Sequence, residues 1–276
     1  MDFTVDPAFQ AKLDWMLDFV KTECEPIDLL FPHHGDPYDT SNAKARAIIA
    51  PLQDQVKAQG LWACHLDPHL GGKGYGQMKL AYMNEIIGRS YWAPTIFGTA
   101  APDTGNAEIL AMFGTPEQKA RYLQPLLDGD IVSCFSMTEP QAGADPKEFE
   151  CRAARDGDEW VIEGYKWFSS NARYASFLIV MAVTDPDAPA HSRMSMLVVP
   201  AETPGIEIIR NVGTIGDDPL DDSHGIHGYI HYNQVRVPLD AMLGAPGDGF
   251  KVAQARLGGG RVHHAMRTVG RCQRAF

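Results

Sequence analysis

The chain has 276 residues, 45% of them hydrophobic, and a formal net charge of -11. That apolar content is ample for a buried core, and the acidic balance excludes general nucleic-acid binding, because a phosphate backbone needs a basic face. No apolar run reaches membrane-spanning length, the opening MDFTVDPAFQ has neither a basic nor an apolar targeting region, and the five cysteines are scattered without a CxxC pair. The expectation is a globular cytoplasmic protein with no membrane span, no disulfide framework and no structural zinc.

Asp6 before Pro7 is a helix start, with a carboxylate at the N-cap and proline where its missing N–H costs nothing. Phe9, Leu13, Met16, Leu17 and Val20 then recur at helical spacing, while Lys12, Asp14 and Asp18 face water. Residues 31–37 hold two prolines and a glycine and read as a loop; its paired His33 and His34 lack a spaced third ligand for a metal. A second helix is expected over Asn42 to Gln59, kinked or broken at Pro51 and stopped by Gly60. The glycine-rich run 70–76 is a turn and not a phosphate loop, since no Gly-Lys-Ser/Thr follows at the required spacing. Met78 to Arg89 and Thr104 to Phe113 are further helices. Thr115, Pro116 and Gln118 form a capping box that opens a helix to about Leu127.

After Asp128-Gly129-Asp130 the period alternates. Strands are expected at Ser133 to Met137, Cys151 to Arg155, Trp160 to Phe168, Phe177 to Val183, Ser195 to Val199, Ile206 to Ile209, Gly228 to Tyr232 and Val235 to Val237. Short strands separated by turns suggest a β-barrel or sandwich. His227 and His231 share a strand face with Tyr229 and His224 does not, so hydrogen-bonded histidines are expected there and not a metal. No G-x-S-x-G elbow accompanies Ser195, which sets nucleophilic hydrolysis aside. The helical period returns from Gly249, with a helix expected from about Val262. Its stripe of Val262, Ala265, Met266, Val269 and Cys272 is expected to be left uncovered. Basic residues at 251, 256, 261, 267, 271 and 274 without an acidic one call for an anion or an acidic surface. The fold class is α+β: an N-terminal all-α bundle over 1–130, a middle β-domain over 131–240, and the start of a C-terminal α bundle over 241–276.

The chemistry is concentrated in residues 133–171. A β-rich run breaks at Pro140 into a loop with Gly143, and a second ends in the hydroxyls of Ser169 and Ser170. Such strand ends offer Phe135 or Phe168 to the face of a flat heteroaromatic ring and Thr138 and Ser170 to its edge. An ordinary β-hairpin turning at Asp156-Gly157-Asp158 is the competing reading. The segments MTEPQAGAD (137–145) and GYKWFSSN (164–171) resemble the T-E-P-x-A-G-S-D and G-x-K-x-W-I-T-N signatures of the acyl-CoA dehydrogenase family. Residues 256–270 are similar to the subgroup whose eukaryotic members are fused to a kinase-like domain, and which acts on long, branched or hydroxylated acyl-CoAs.

This resemblance implies FAD as cofactor, held by Phe135, Met137, Thr138, Gly143, Ala144, Phe168, Ser169 and Ser170, with Ser170 facing flavin N5. It implies an α,β-desaturation of an acyl-CoA thioester, with Ala144, Gly260 and Arg261 toward the substrate and Arg261 near the thioester or pantetheine. Electrons would pass to an electron-transferring flavoprotein, and the full-length protein would be a homo-oligomer, a dimer or tetramer. Ala144 stands where the signature has Ser, Phe168 where it has Trp and Ser170 where it has Thr. The family's carboxylate base lies in a C-terminal bundle or, in some relatives, one position before an arginine matched to Arg261; here that position is Gly260. No catalytic base is therefore expected in this chain, which reads as an N-terminal portion, inactive alone, with the base beyond Phe276. A flavin oxidase or monooxygenase on the same scaffold, or a non-catalytic subunit binding a full-length partner, are the alternatives.

Overall fold

The computed structural model describes residues 4–33, 35–215 and 225–276. His34 and His224 lie outside them. By packing the chain divides into two units, one of residues 1–32, 41–104 and 258–276, the other of residues 33–40 and 105–257. The secondary structure changes type near residue 130 and again near 249, whereas the packing groups helices after residue 105 with the sheet.

In the first unit, α1 (Pro7–Phe19) starts where Asp6 accepts the Phe9 N–H at 2.9 Å. It runs through a π-helical turn, Val20–Cys24, into α2 (Glu25–Leu30). Phe9, Leu13, Met16 and Val20 are buried as the spacing predicts, and Phe19 joins them. Asn42 caps α3 (Ala43–Ala58), which is continuous across Pro51. Pro51 does not break the helix because it lies on the exposed face, where the carbonyl it leaves unpaired at Ala47 meets water. Next come α4 (Gly76–Ile87) and α5 (Ala93–Ile96), the latter too short to show a period. Ile49, Val56, Met83, Ile87 and Trp92 complete the core, each large side chain contributing about 2 kcal/mol by burial.

The second unit takes in most of α6 (Asp103–Phe113), then α7 (Pro116–Gln118), a π turn, and α8 (Gln124–Asp128). Both hydrogen bonds of the Thr115/Gln118 capping box are present, and Gln118 also donates to the carbonyls of Asp240 and Met242. Among the described residues eight strands follow: β1 (Ser133–Ser136), β2 (Arg152–Asp156), β3 (Glu159–Ser170), β4 (Phe177–Val183), β5 (Met194–Pro200), β6 (Ile206–Asn211), β7 (His227–Pro238) and β8 (Met242–Leu243). They form one sheet in the order β6-β7-β3-β1-β4-β5-β8, with β2 paired to both β3 and β4.

Thus β1 and β2 share one slot between β3 and β4, and the chain leaves the sheet between them. That excursion carries the 137–145 segment. Two expected strands, 228–232 and 235–237, are one: Asn233-Gln234 resembles a turn, but Gln234 takes φ +54° and the β3 pairing shifts register there, so it is a bulge within β7. Ser195 is buried and bonded to Thr184 and the Gly247 N–H, a structural role.

The last helix, α9 (Gly249–Ala275), begins thirteen residues before the expected Val262. Glycines 258–260 are poor helix formers, yet the helix runs through them, with Val252 and Ala253 buried before them and His263 after. Within the first unit, α9 turns a polar face inward: His263 and Gly270 are buried, and Arg267 donates to Asn84 Oδ1 at 2.7 Å and to the Thr99 carbonyl at 2.6 Å. Val262, Ala265, Val269 and Cys272 are exposed, as expected, and Met266 is half-buried. Part of the basic run is taken up inside the chain: Arg274 pairs with Asp28 and Glu25, Lys251 with Asp248, and Arg271 lies over Tyr91.

Candidate functional site

Lys166 sits on β3 with no exposed surface, an expensive place for an ammonium group unless a carboxylate meets it. Glu139 does, at 2.8 Å, and Lys166 also donates to the Met137 carbonyl at 2.8 Å. The second Glu139 oxygen accepts the Glu150 N–H at 2.7 Å and Gln141 Nε2 at 2.7 Å, and the Cys151 N–H reaches the same carboxylate at 3.1 Å. The excursion is thereby tied at its start to the strand that follows it and to β3 beside it. Lys166 further lies over the Phe149 ring at 4.8 Å. Burial pushes the neighbouring Cys151 thiol up to about 11, which leaves it a packed and unreactive group.

This latch sets the two segments in register. The Trp167 N–H donates to the Thr138 carbonyl at 2.7 Å, and Phe135 is the direct partner of Ser170 across β1 and β3. Ser170 is in turn the partner of His227 across β3 and β7, with Ser170 Oγ 2.9 Å from His227 Nδ1. Directly opposed residues share a sheet face, so Phe135, Ser170 and His227 form one row across three strands. Between Lys166 and Ser169 the β3–β7 register slips, and Phe168 takes φ +51°, a strained value for an aromatic residue, and stands 42% exposed.

Ser169 is turned the other way. Its hydroxyl is buried, 2.8 Å from Ser136 Oγ, which accepts from the Tyr232 hydroxyl at 2.9 Å. Burial raises the Tyr232 phenol well above its ordinary range, so this chain of hydroxyls stays neutral and structural. The expected cofactor contact through the Ser169 side chain is not supported, because adjacent strand residues face opposite sides. Met137 and Thr138 are half-buried at the end of β1, and Gly143 and Ala144 are exposed on the excursion, where a Cβ on Gly143 would sit 3.5 Å from the Thr138 methyl.

Gly260 and Arg261 lie on the stretch of α9 assigned to the other unit, and Arg261 is exposed. The structure brings a different arginine to the row. Arg256 stands 3.8 Å over the centroid of the Phe135 ring and donates to Asn106 Oδ1 at 2.9 Å, while Asn106 Nδ2 donates to Ser133 Oγ at 2.8 Å. In the sequence it was one of six basic residues, and only the fold singles it out. The neighbouring rings Trp167, Tyr229, Tyr165 and His231 continue the same face, Tyr165 stacking on His231 at 4.4 Å and Arg210 lying over Trp167 at 5.0 Å. Among the described residues no cluster of histidine, cysteine and carboxylate groups could hold a metal, and no helix is long and apolar enough to cross a membrane.

An exposed aromatic beside a half-buried hydroxyl, at the end of a strand pair whose backbone is locked from below, fits the face and edge of a planar ring. Comparison with known proteins gives the family. Residues 11–130 match the acyl-CoA dehydrogenase N-terminal domain and residues 134–234 the acyl-CoA dehydrogenase middle domain. This chain belongs to the acyl-CoA dehydrogenase family. It is 39% identical over 99% of its length to mouse acyl-CoA dehydrogenase family member 10 and 42% identical over 83% to human family member 11. A structure from Mycobacterium abscessus assigned to the acyl-CoA dehydrogenases superposes over 99% of the chain with TM-score 0.86 and 38% identity, and butyryl-CoA dehydrogenase from Megasphaera elsdenii over 100% with TM-score 0.77 and 25% identity. The chain spans 26% of the mouse protein, 29% of the human one, and 69% and 68% of those two solved chains.

Proposed function

We propose that this chain forms the flavin-binding part of an FAD-dependent acyl-CoA dehydrogenase that desaturates an acyl-CoA thioester between its α and β carbons. The observation that carries this reading is the buried Glu139–Lys166 pair, which joins the two signature segments so that Phe135, Thr138, Phe168 and Ser170 converge. FAD, when bound, supplies the acceptor for the hydride leaving the β carbon. Phe168 and Phe135 are placed to lie against the ring, and Ser170 and Thr138 to hydrogen-bond its edge. Gly143 and Ala144, exposed and without bulky side chains, leave room for the pyrophosphate and the thioester.

Arg256 holds Phe135 in place and brings a fixed positive charge to that end of the row. It is a better candidate than Arg261 for the cation beside the reacting group. Glu139 is not the base, because its oxygens are occupied by Lys166, Gln141 and two backbone N–H groups. The base is assigned to residues beyond this stretch, as Gly260 at the alternative family position has no side chain to serve. An electron-transferring flavoprotein as acceptor, a homo-oligomeric full-length protein and, with all five cysteines free, a reducing cytoplasmic setting complete the proposal. The test is anaerobic addition of acyl-CoAs of graded length to the FAD-loaded full-length protein. Bleaching of the flavin by at least one thioester supports the reading, and an unbleached flavin across the series contradicts it.

A further inference from the structure

The hydroxyl placed at the ring edge has a titratable neighbour. Ser170 Oγ lies 2.9 Å from His227 Nδ1, and the backbones on both sides are pinned: the Asn171 N–H donates to the Ile226 carbonyl at 2.6 Å and the Val212 N–H to the His227 carbonyl at 2.7 Å. The Phe168 ring meets the imidazole edge-on at 6.0 Å. Histidine is the side chain whose ordinary protonation range spans neutral pH, and Ser170 has a single hydrogen to give.

Resting on the flavin reading above, we propose that His227 is a positioning residue that sets the direction of the hydrogen bond Ser170 offers to the flavin edge. When Nδ1 is bare it accepts the Ser170 hydrogen, and the hydroxyl presents only lone pairs to the ring. When Nδ1 carries a proton it donates to Ser170 Oγ, and the hydroxyl hydrogen is free for the ring. A ring nitrogen that accepts in oxidised flavin and donates in the reduced form distinguishes these two states, so a proton on His227 and electrons on the flavin are linked.

Among the described residues, the titratable or charged groups on the elements packed around His227 are Tyr229, His231, Tyr232 and Arg236 on β7, Glu159, Glu163, Tyr165 and Lys166 on β3, Cys134 on β1, Glu207 and Arg210 on β6, Arg173 in the turn after β3, and Arg256 over the Phe135 ring. Glu207 pairs with His231 at 3.0 Å, Lys166 with Glu139, and Arg210 lies over Trp167 and Tyr229. His227 Nδ1 reaches the Ser170 hydroxyl directly, at 2.9 Å.

Two readouts test the proposal. Side-chain nitrogen NMR of histidine in the flavin-free protein should show the His227 tautomer balance and titration midpoint change in Ser170→Ala; identical curves overturn the coupling whether or not FAD binds. In the FAD-loaded protein, the midpoint potential plotted against pH should bend at the His227 titration. The bend should vanish in His227→Asn, which keeps a hydrogen-bonding amide without the titrating proton. A bend that persists in that variant, or no bend in the wild type, overturns the role. Intact NMR coupling in a protein that never binds FAD overturns the flavin reading instead and leaves a structural hydrogen bond.

Discussion

Glu139 and Lys166 stand 27 residues apart in sequence and meet at 2.8 Å with both side chains buried. One belongs to the loop that interrupts a strand, the other to the neighbouring strand. Removing one partner strands the other as an uncompensated buried charge, which costs about 3–5 kcal/mol. Lys166→Met is therefore expected to lower stability by that amount in urea denaturation. It should also weaken FAD binding by at least tenfold, about 1.4 kcal/mol, because the excursion loses its anchor. A loss below about 1 kcal/mol, with FAD affinity intact, would remove the latch from the account.

Acid stability is expected to depend on two buried histidines of the first unit. Burial lowers His65 to about 3, with His263 and Arg267 adding to the effect, and burial lowers His263 to about 4. Both are neutral in the folded protein, and both bind protons once unfolded below about pH 6.5. The unfolded state thus takes up more protons, so stability falls as pH drops from about 6.5 toward 3–4 and is unaffected above pH 7. Denaturation midpoints at pH 7 and pH 5 should separate in the wild type and draw together in His65→Leu; equal separation in both proteins would assign the acid limb elsewhere.

Two glycines on one helix give opposite predictions. A Cβ at Gly270 would sit 1.8 Å from the Glu85 carbonyl oxygen, because α9 crosses α4 in backbone contact there, while Gly258 has nothing within 4 Å. Helix propensity alone favours alanine by about 1 kcal/mol at either site. Gly258→Ala is expected to raise the melting temperature by a few degrees and Gly270→Ala to lower it, since the helices must move apart. Stabilisation by both would mean that α9 does not pack on α4 in solution.

The parts legible in the sequence were those written in local chemistry. Asp6, Asn42 and the Thr115/Gln118 box cap the helices they announce, and the alternation after Asp130 marks where the sheet begins. What stayed hidden depended on distant partners. The bulge at Gln234 reads as a turn until β3 is seen beside it, and the start of α9 is masked by three glycines that the helix runs through. At the site, the motif residues, Ser170 among them, were visible as a resemblance, but that the Ser169 side chain takes the opposite face and bonds Ser136 shows only once the strands are paired. Arg256 became distinct only when its helix brought it over Phe135, and His227 only when strand pairing set it beside Ser170.

The central claim is that Phe168 and Ser170 present a ring-binding surface. The most direct measurement is a titration of the purified protein with FAD, followed by flavin absorbance, in the wild type, Ser170→Ala and Phe168→Ala. Saturable binding with a shifted flavin spectrum is expected in the wild type, a different spectrum in Ser170→Ala, and about tenfold weaker binding in Phe168→Ala, near 1.4 kcal/mol. Saturable FAD binding with the same spectrum and affinity in all three proteins would place the flavin elsewhere, and no binding by the wild type would contradict the account outright.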